Sequence, residues 1–296
     1  MSETYIFHLS FFIFYYQFST FINMPAIIPI FLFGAIIGSL LSVIIPRLHD
    51  NIPGIIKGRS HCPECKTKLR VKDLIPLISY FLLKGKCASC SKTISWFYPV
   101  IEWSTALCFA LSLPLFHNLN LNPITFDYQS LLFTTDFFLF IFWLFCLSLL
   151  LFIFFYDAKY YSIDDRIMIP GIILTLIIIA LLPEQNLFPS LKSAIIGALI
   201  PFIFFGGQIL LSKGRWLGSG DLRIGILMGL ILGLEKILIA LFLSYIIGSI
   251  FGIIIGLQKG TIKGIKIPFG PFLAIGTFLA FFFGEQIINW YLEIIF

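Results

Sequence analysis

The chain has 296 residues, of which 59% are apolar and only 12% are charged, and its mean hydropathy is +1.00. Soluble domains carry about 25% charged residues, so this composition excludes an ordinary soluble protein. The apolar stretches are continuous rather than alternating, which argues against a membrane barrel. They are long enough for helices of about 20 residues, so the sequence predicts an all-α polytopic membrane protein.

The net charge of +5 is concentrated in a few segments. Ten of the 20 Lys and Arg residues lie between Arg47 and Lys92, and eight more fall in 157–166, 213–223 and 258–267. Basic residues mark the loops that stay in the cytoplasm. The charge therefore indicates topology and predicts no nucleic acid partner.

About eight transmembrane helices are predicted, and they account for the distribution of basic residues. Traced alternately, they place every basic cluster on the cytoplasmic side. The predicted spans are 24–46, 99–117, 130–156, 167–183, 193–212, 222–234, 236–257 and 271–295.

The segment 1–23 allows two interpretations. It is apolar but carries His8 and Gln17, and it lacks the basic start of a signal peptide. It is either an interfacial or additional helix, or a stretch that precedes a true start at Met24. The predicted domains are this segment, a first transmembrane helix at 24–46, a cytoplasmic module at 47–98 and a membrane-embedded domain at 99–296.

Four cysteines stand in two Cys-x2-Cys pairs within the cytoplasmic module. Cys62 and Cys65 form the first pair, Cys87 and Cys90 form the second, and 21 residues separate the pairs. Four thiolates in this pattern suit a closed structural zinc site, and a cytoplasmic location argues against structural disulfides. An iron centre, a redox pair and coincidence are the alternatives. A module of this size is too short to be stabilised by a hydrophobic core alone, so it needs a cross-link such as a bound metal ion.

Two aspartates, Asp157 and Asp221, lie at the ends of long apolar stretches. An ionisable group at the edge of a bilayer is costly and is therefore a candidate functional residue. An aspartic protease needs at least two carboxyl groups, since one holds a proton while the other activates water. The competing interpretation is that both are ordinary acids where helices leave the membrane.

Several short motifs, in this order and spacing, resemble those of the type IV prepilin leader peptidases, bifunctional bacterial enzymes that are aspartic proteases of the Gly-x-Gly-Asp type. The resemblance covers about 34–276, nearly the whole chain. The matching segments are 38–48, Ser60-His61-Cys62-Pro63, Asp73-Leu74-Ile75-Pro76, Tyr98-Pro99-Val100-Ile101-Glu102, Asp157, Gly218-Ser219-Gly220-Asp221 and Pro268-Phe269-Gly270-Pro271-Phe272.

By this resemblance Asp157 and Asp221 are the catalytic dyad, at the cytoplasmic face of the bacterial inner membrane. Gly218 and Gly220 are expected to support the loop that carries the second aspartate, since glycine allows close approaches that side chains forbid. The implied substrate is a prepilin or pseudopilin that is cut after a Gly preceding a Phe-like residue. Membrane lipid is the other expected partner, and the oligomeric state is not predicted.

The resemblance also implies N-methylation of the new amino terminus with S-adenosylmethionine. The sequence contains no glycine-rich strand-to-helix turn of the dinucleotide-binding kind, so no cofactor-binding residues are predicted. Ser42, Pro46 and Phe97 stand where the family pattern has other residues. Two alternatives therefore stay open: a peptidase without the methyltransferase activity, and a Gly-x-Gly-Asp protease with another membrane substrate.

Four further acids compete for a functional role. Asp164 is predicted to be a helix N-cap, and Asp165 a secondary or structural residue. Asp136 lies toward the outer end of its span, which argues against catalysis, and Glu102 matches a family motif but is also compatible with a structural role. A transporter with a zinc domain and a non-enzymatic scaffold are the rival functions. The first predicts acids near the bilayer midplane, and the second leaves the Gly-x-Gly-Asp loop unexplained.

Overall fold

A computed structural model describes residues 26–51, 60–62, 64–118, 126–127, 132–133, 135–182, 187–260 and 266–295. The predictions for segment 1–23 lie outside these residues. The chain divides into two compact units, residues 1–144 and 145–296.

The described elements are helical apart from one short antiparallel pair of strands. In chain order they are α1 (Ile27–His49), a 3₁₀ turn (Val71–Leu74), α2 (Ile78–Leu82), α3 (Phe97–Asn118), β1 (Phe126–Asp127), β2 (Leu132–Phe133), α4 (Thr135–Tyr160), α5 (Asp165–Leu181), α6 (Leu191–Ser212), α7 (Ser219–Lys259) and α8 (Gly270–Ile295). Six of these helices are long and apolar enough to cross a membrane, namely α1, α3, α4, α6, α7 and α8. With 17 residues, α5 is at the lower limit for a span.

In the first unit, α1 packs against α3 at backbone distance. A Cβ atom added to Gly34 would lie 2.8 Å from Ala106 Cα, and one added to Gly38 would lie 2.7 Å from Glu102 Cα. Glycines four residues apart form one face of a helix, and membrane helices use such faces to approach closely. These two glycines therefore fix where α1 and α3 cross.

In the second unit, α7 is two helical arms that meet at Gly233. This glycine has φ 70° and ψ −171°, a conformation open to residues without a side chain. The next amide, of Leu234, donates to Ser193 Oγ at 3.0 Å, so α6 supplies the partner that the interrupted helix lacks. At this junction the backbones of α6 and α7 are in close contact, because a Cβ on Gly197 would lie 2.6 Å from the Gly233 carbonyl carbon.

The two arms of α7 run in opposite directions, as their contacts with α6 demonstrate. The first arm is antiparallel to α6, since Gly229 meets Gly197 and Gly225 meets Phe205. The second arm is parallel to α6, since Leu234 contacts Ser193 and, further along both helices, Tyr245 contacts Gln208. The prediction of an all-α polytopic membrane protein is confirmed, with six candidate spans among the described residues where about eight were predicted. The turn expected near Glu235 lies at Gly233.

Candidate active site and metal centre

Asp157 lies in the last turn of α4, at the end of a continuous apolar run. The helix continues to Tyr160, so this aspartate is part of a helix rather than of a loop. Its side chain is buried, and Asp157 Oδ2 accepts a hydrogen bond from the Gly270 amide at 2.8 Å. Gly270 begins α8, where free amide groups favour a negative charge. The start of α8 thus holds the Asp157 carboxylate.

Asp221 lies in the first turn of α7 and also accepts a backbone hydrogen bond. Its Oδ2 receives the Gly218 amide at 3.0 Å, an N-terminal capping contact. Gly218 has φ −85° and ψ 159°, which any residue can adopt, and a Cβ there would make an ordinary contact. A Cβ on Gly220 would lie 3.0 Å from Ile163 Cγ1, so close packing explains this second glycine.

Asp157 and Asp221 are 64 positions apart in sequence, and packing brings them toward one another. The start of α7 contacts the segment that follows α4 through Gly220 and Ile163, and Asp221 lies within electrostatic range of the Asp157 carboxyl group. Two neighbouring carboxylates do not ionise together readily, so one of them can keep a proton while the other acts as a base. The arrangement can therefore perform acid–base chemistry on a water molecule.

The sequence did not predict a role for Gly270, although it lies in the quoted segment Pro268-Phe269-Gly270. The signal was present only as a motif, because the contact with Asp157 spans 113 residues. It also did not predict the contact between Gln208 and Tyr245, two polar residues inside apolar helices.

The other aspartates have structural partners or lie elsewhere. Asp164 is the N-cap of α5, and its side chain accepts the Arg166 amide at 2.9 Å, so this prediction is confirmed. Asp165 forms an ion pair with Arg223 at 2.9 Å. Asp136 lies in the first turn of α4, 21 residues before Asp157, a separation of about 31 Å along a helix.

Glu102 is a buried acid of α3 in the first unit, with a backbone partner. Its Oε2 accepts the Leu77 amide at 2.8 Å. Leu77 has φ 66°, in the left-handed region that residues with a Cβ rarely adopt. Glu102 therefore holds the strained turn that precedes α2.

The four cysteines of the first unit come together. The Sγ atoms of Cys62, Cys65, Cys87 and Cys90 all lie within 4.8 Å of one another, and those of Cys62 and Cys90 are 3.9 Å apart. Tetrahedral zinc with bonds of about 2.3 Å requires sulfur atoms about 3.8 Å apart. The donor set and its spacing therefore fit a closed metal site.

The two cysteine pairs have the same backbone geometry. In each, the amide of the first cysteine donates to the carbonyl five residues later, and the amide four residues later donates back to the carbonyl of the first cysteine. These bonds are Cys62 to Thr67 at 3.0 Å, Lys66 to Cys62 at 2.9 Å, Cys87 to Lys92 at 2.8 Å and Ser91 to Cys87 at 3.0 Å. Lys66 and Ser91 both have a positive φ, which turns the chain after each pair.

One cysteine of this cluster has a thiol pKa below the ordinary value, so it ionises more readily. Hydrogen bonds with the side chain and backbone of Thr67 lower the pKa of Cys65 to about 6. Because metals bind the thiolate rather than the thiol, such a group is suited to be a ligand. The cluster can therefore bind a metal ion.

Two protein-family models match the chain. The bacterial peptidase A24 N-terminal domain matches residues 32–116, which include most of α1 and α3 and the cysteine cluster. The type IV leader peptidase family matches residues 143–253, which include both aspartates. No solved structure matches the chain.

Curated relatives match over nearly their whole length. A prepilin leader peptidase/N-methyltransferase of Bacillus subtilis is 30% identical over 267 residues, which cover 89% of this chain and 97% of the relative. Proteins with the same name from Dichelobacter nodosus and Pseudomonas aeruginosa are 33% and 27% identical, and 91% and 92% of these relatives are covered, with 86% and 88% of this chain. The chain belongs to the type IV leader peptidase family.

Proposed function

We propose that this protein is an aspartic endopeptidase that removes the leader peptide of type IV prepilins or pseudopilins. The observation that carries the proposal is the juxtaposition of Asp157 and Asp221 in the second unit, each holding a backbone amide. The family membership and the names of the relatives give the substrate class. The substrates are pilin-like subunits of pili or of secretion machinery.

The chemistry follows from two carboxylates that share one proton. The ionised carboxylate takes a proton from water as the water attacks the scissile carbonyl group, and the protonated carboxylate donates to the carbonyl oxygen. The Gly270 amide occupies Asp157 Oδ2, which leaves the other oxygen of this carboxylate for water or substrate. The Gly218 amide fixes Asp221 in the same way.

The distribution of basic residues supports an orientation in the bacterial inner membrane. Both aspartates then lie at the cytoplasmic face, where the leader of a prepilin is exposed and its apolar helix is embedded in lipid. In this proposal 24–46 is the first transmembrane helix, 47–98 the cytoplasmic cysteine module and 99–296 the membrane-embedded protease domain. Segment 1–23 precedes them.

The cysteine cluster is proposed to hold a structural zinc ion. Cys62, Cys65, Cys87 and Cys90 would be the ligands, and the ion would staple two short turns that lack a large core of their own. Elemental analysis of the purified protein should find about one zinc ion per chain. A folded preparation without metal would contradict this proposal.

The names of the relatives also support N-methylation of the new amino terminus with S-adenosylmethionine. No residues are assigned to this cofactor, because none of the contacts among the described residues identifies its binding site. Mass spectrometry of a processed pilin should find a methyl group on the new amino terminus only when S-adenosylmethionine is supplied. An unmethylated product in its presence would limit the activity to the peptidase.

The peptidase proposal is tested with Asp157→Asn and Asp221→Asn in membranes that contain a prepilin. Each change keeps the shape of the side chain but removes its acid–base function, so cleavage should be abolished. Asp136→Asn is the matched control, since Asp136 lies at the other end of α4, and it should cleave normally. Substantial cleavage by either dyad variant would refute the assignment.

A further inference from the structure

A pair of polar side chains lies between two apolar helices of the second unit. Gln208 belongs to α6 and Tyr245 to the second arm of α7. The Tyr245 hydroxyl oxygen lies 3.1 Å from Gln208 Nε2 and 3.3 Å from Gln208 Oε1. Polar groups inside membrane helices are costly, so a pair that persists there requires an explanation.

Two serine hydroxyl groups of α7 form hydrogen bonds within their own helix. Ser244 donates to the Ala240 carbonyl at 2.6 Å, and Ser249 donates to the Ile246 carbonyl at 2.8 Å. Among the described residues, the Gln208 side chain hydrogen-bonds only to Tyr245. An amide side chain offers two donor hydrogens and two acceptor positions, so the Tyr245 hydroxyl, even when it pairs with both Nε2 and Oε1, leaves one donor and one acceptor position for another molecule.

The pair lies close to the start of α8, which holds Asp157. The Tyr245 ring packs on the Phe269 ring with 5.0 Å between centroids, and Asp221 lies within electrostatic range of the Tyr245 hydroxyl group. Phe269 directly precedes Gly270, whose amide holds Asp157. Gln208 and Tyr245 are therefore near the place where the scissile bond must lie.

Cleavage imposes a requirement on any helical membrane substrate. In the proposed substrate the scissile bond lies where the leader meets the apolar helix, so the backbone there must be extended before water can attack. An extended backbone leaves N–H and C=O groups without helical partners at the edge of the membrane, where an unpaired group is costly. A protease that acts there needs side chains that can both accept from an N–H group and donate to a carbonyl group.

We propose that Gln208 and Tyr245 form such a site and hydrogen-bond the backbone of the extended substrate beside the scissile bond. Gln208 Oε1 accepts a substrate N–H group, and the Gln208 amide or the Tyr245 hydroxyl donates to a substrate carbonyl. This inference rests on the proposed peptidase function. It assigns a substrate-binding role to two residues outside the Gly-x-Gly-Asp loop and predicts that recognition includes the backbone as well as side chains.

The first test compares Gln208→Leu and Tyr245→Phe with the wild-type full chain on one prepilin substrate. Each change removes hydrogen-bonding atoms and keeps most of the packing, so kcat/KM should fall about tenfold, the loss expected for one hydrogen bond. Tyr291→Phe is the matched control, because it removes the same atom from an exposed residue near the far end of α8. This control should cleave at the wild-type rate.

The second test uses synthetic prepilin peptides in which one backbone N–H near the scissile bond is replaced by an ester oxygen. At the position that Gln208 contacts, the ester should slow the wild-type enzyme about tenfold and should slow Gln208→Leu no further. A purely structural role for the pair predicts instead that the losses from the ester and from the variant multiply. The proposal would be overturned if the rate losses from the ester and from the variant multiplied at every position of the peptide. Wild-type cleavage rates for both Gln208→Leu and Tyr245→Phe would also overturn it.

The outcomes separate this inference from the peptidase function on which it rests. If the wild-type protein does not cleave, or if Asp157→Asn cleaves, the peptidase function fails. If the wild-type protein cleaves and depends on Asp157 but is indifferent to every ester, only the backbone-binding role is refuted. This last measurement needs no variant of Gln208 or Tyr245, so it stands even if those variants fold poorly.

Discussion

Gly270→Ala is the substitution that most directly tests how the proposed active site is held. A Cβ atom at this position would lie 2.8 Å from Asp157 Oδ2 and 3.0 Å from Asp157 Cβ. Ordinary contacts begin near 3.4 Å, so the carboxylate or the start of α8 must move by about 0.6 Å. The backbone of Gly270 is helical, and alanine is favoured there, so strain comes from this contact alone.

The expected effect follows from the hydrogen bond that the movement weakens. A hydrogen bond from an amide to a carboxylate contributes about 1.5–3 kcal/mol. If this stabilisation is lost where the Asp157 carboxylate meets the transition state, kcat/KM falls between about tenfold and a hundredfold. The melting temperature should change little, because one added methyl group at a helix start displaces a single side chain.

The assay is the initial rate of prepilin cleavage by purified protein in detergent or vesicles, with the product identified by its mass. Gly252→Ala is the matched control, since a Cβ there would make an ordinary contact with Ile267 at 3.4 Å. It should retain the wild-type rate. Wild-type cleavage by Gly270→Ala would refute the idea that this glycine positions Asp157.

Three further substitutions test other contacts. Cys62→Ser should reduce the metal content measured by elemental analysis to near zero, because a closed site needs all four thiolates. Asp164→Ala should lower the free energy of unfolding by about 1 kcal/mol at neutral pH, as lost helix caps do. The hydrogen bond with Arg166 holds the pKa of Asp164 below its usual value. The difference in unfolding free energy between this variant and the wild type should therefore vanish as pH falls below that lowered pKa, which an acid titration followed by circular dichroism would measure. Glu102→Ala should cost about 1–3 kcal/mol in thermal unfolding, since it leaves the Leu77 amide buried without its acceptor; an unchanged midpoint would contradict this role.

The sequence was informative wherever a local pattern dictates the structure. Long apolar runs predicted the membrane helices, and the spacing of four cysteines predicted their cluster. Asp164 followed by Arg166 at a helix start predicted the N-cap. In each case the residues concerned are close in sequence or belong to a motif with one established geometry, so a single chain was sufficient.

Contacts between distant segments could not be predicted in this way. No periodicity indicates that Gly270 donates to Asp157 or that Gln208 meets Tyr245, because these contacts depend on how separate helices pack. The role expected for Gly218 was also inferred from residue type. Its ordinary φ and its capping contact with Asp221 appear only when the backbone is known.

The matching geometry of the two cysteine turns has a consequence for synthesis of the protein. Each turn closes through bonds within six residues, and both are complete once Cys90 and the next few residues have left the ribosome. The 206 residues after Cys90 carry both aspartates and need about 10–40 s at bacterial rates of elongation. If the cluster holds zinc as proposed, the ion can lock this module before the later helices are made, and a cell short of zinc would make chains in which the module stays unfolded.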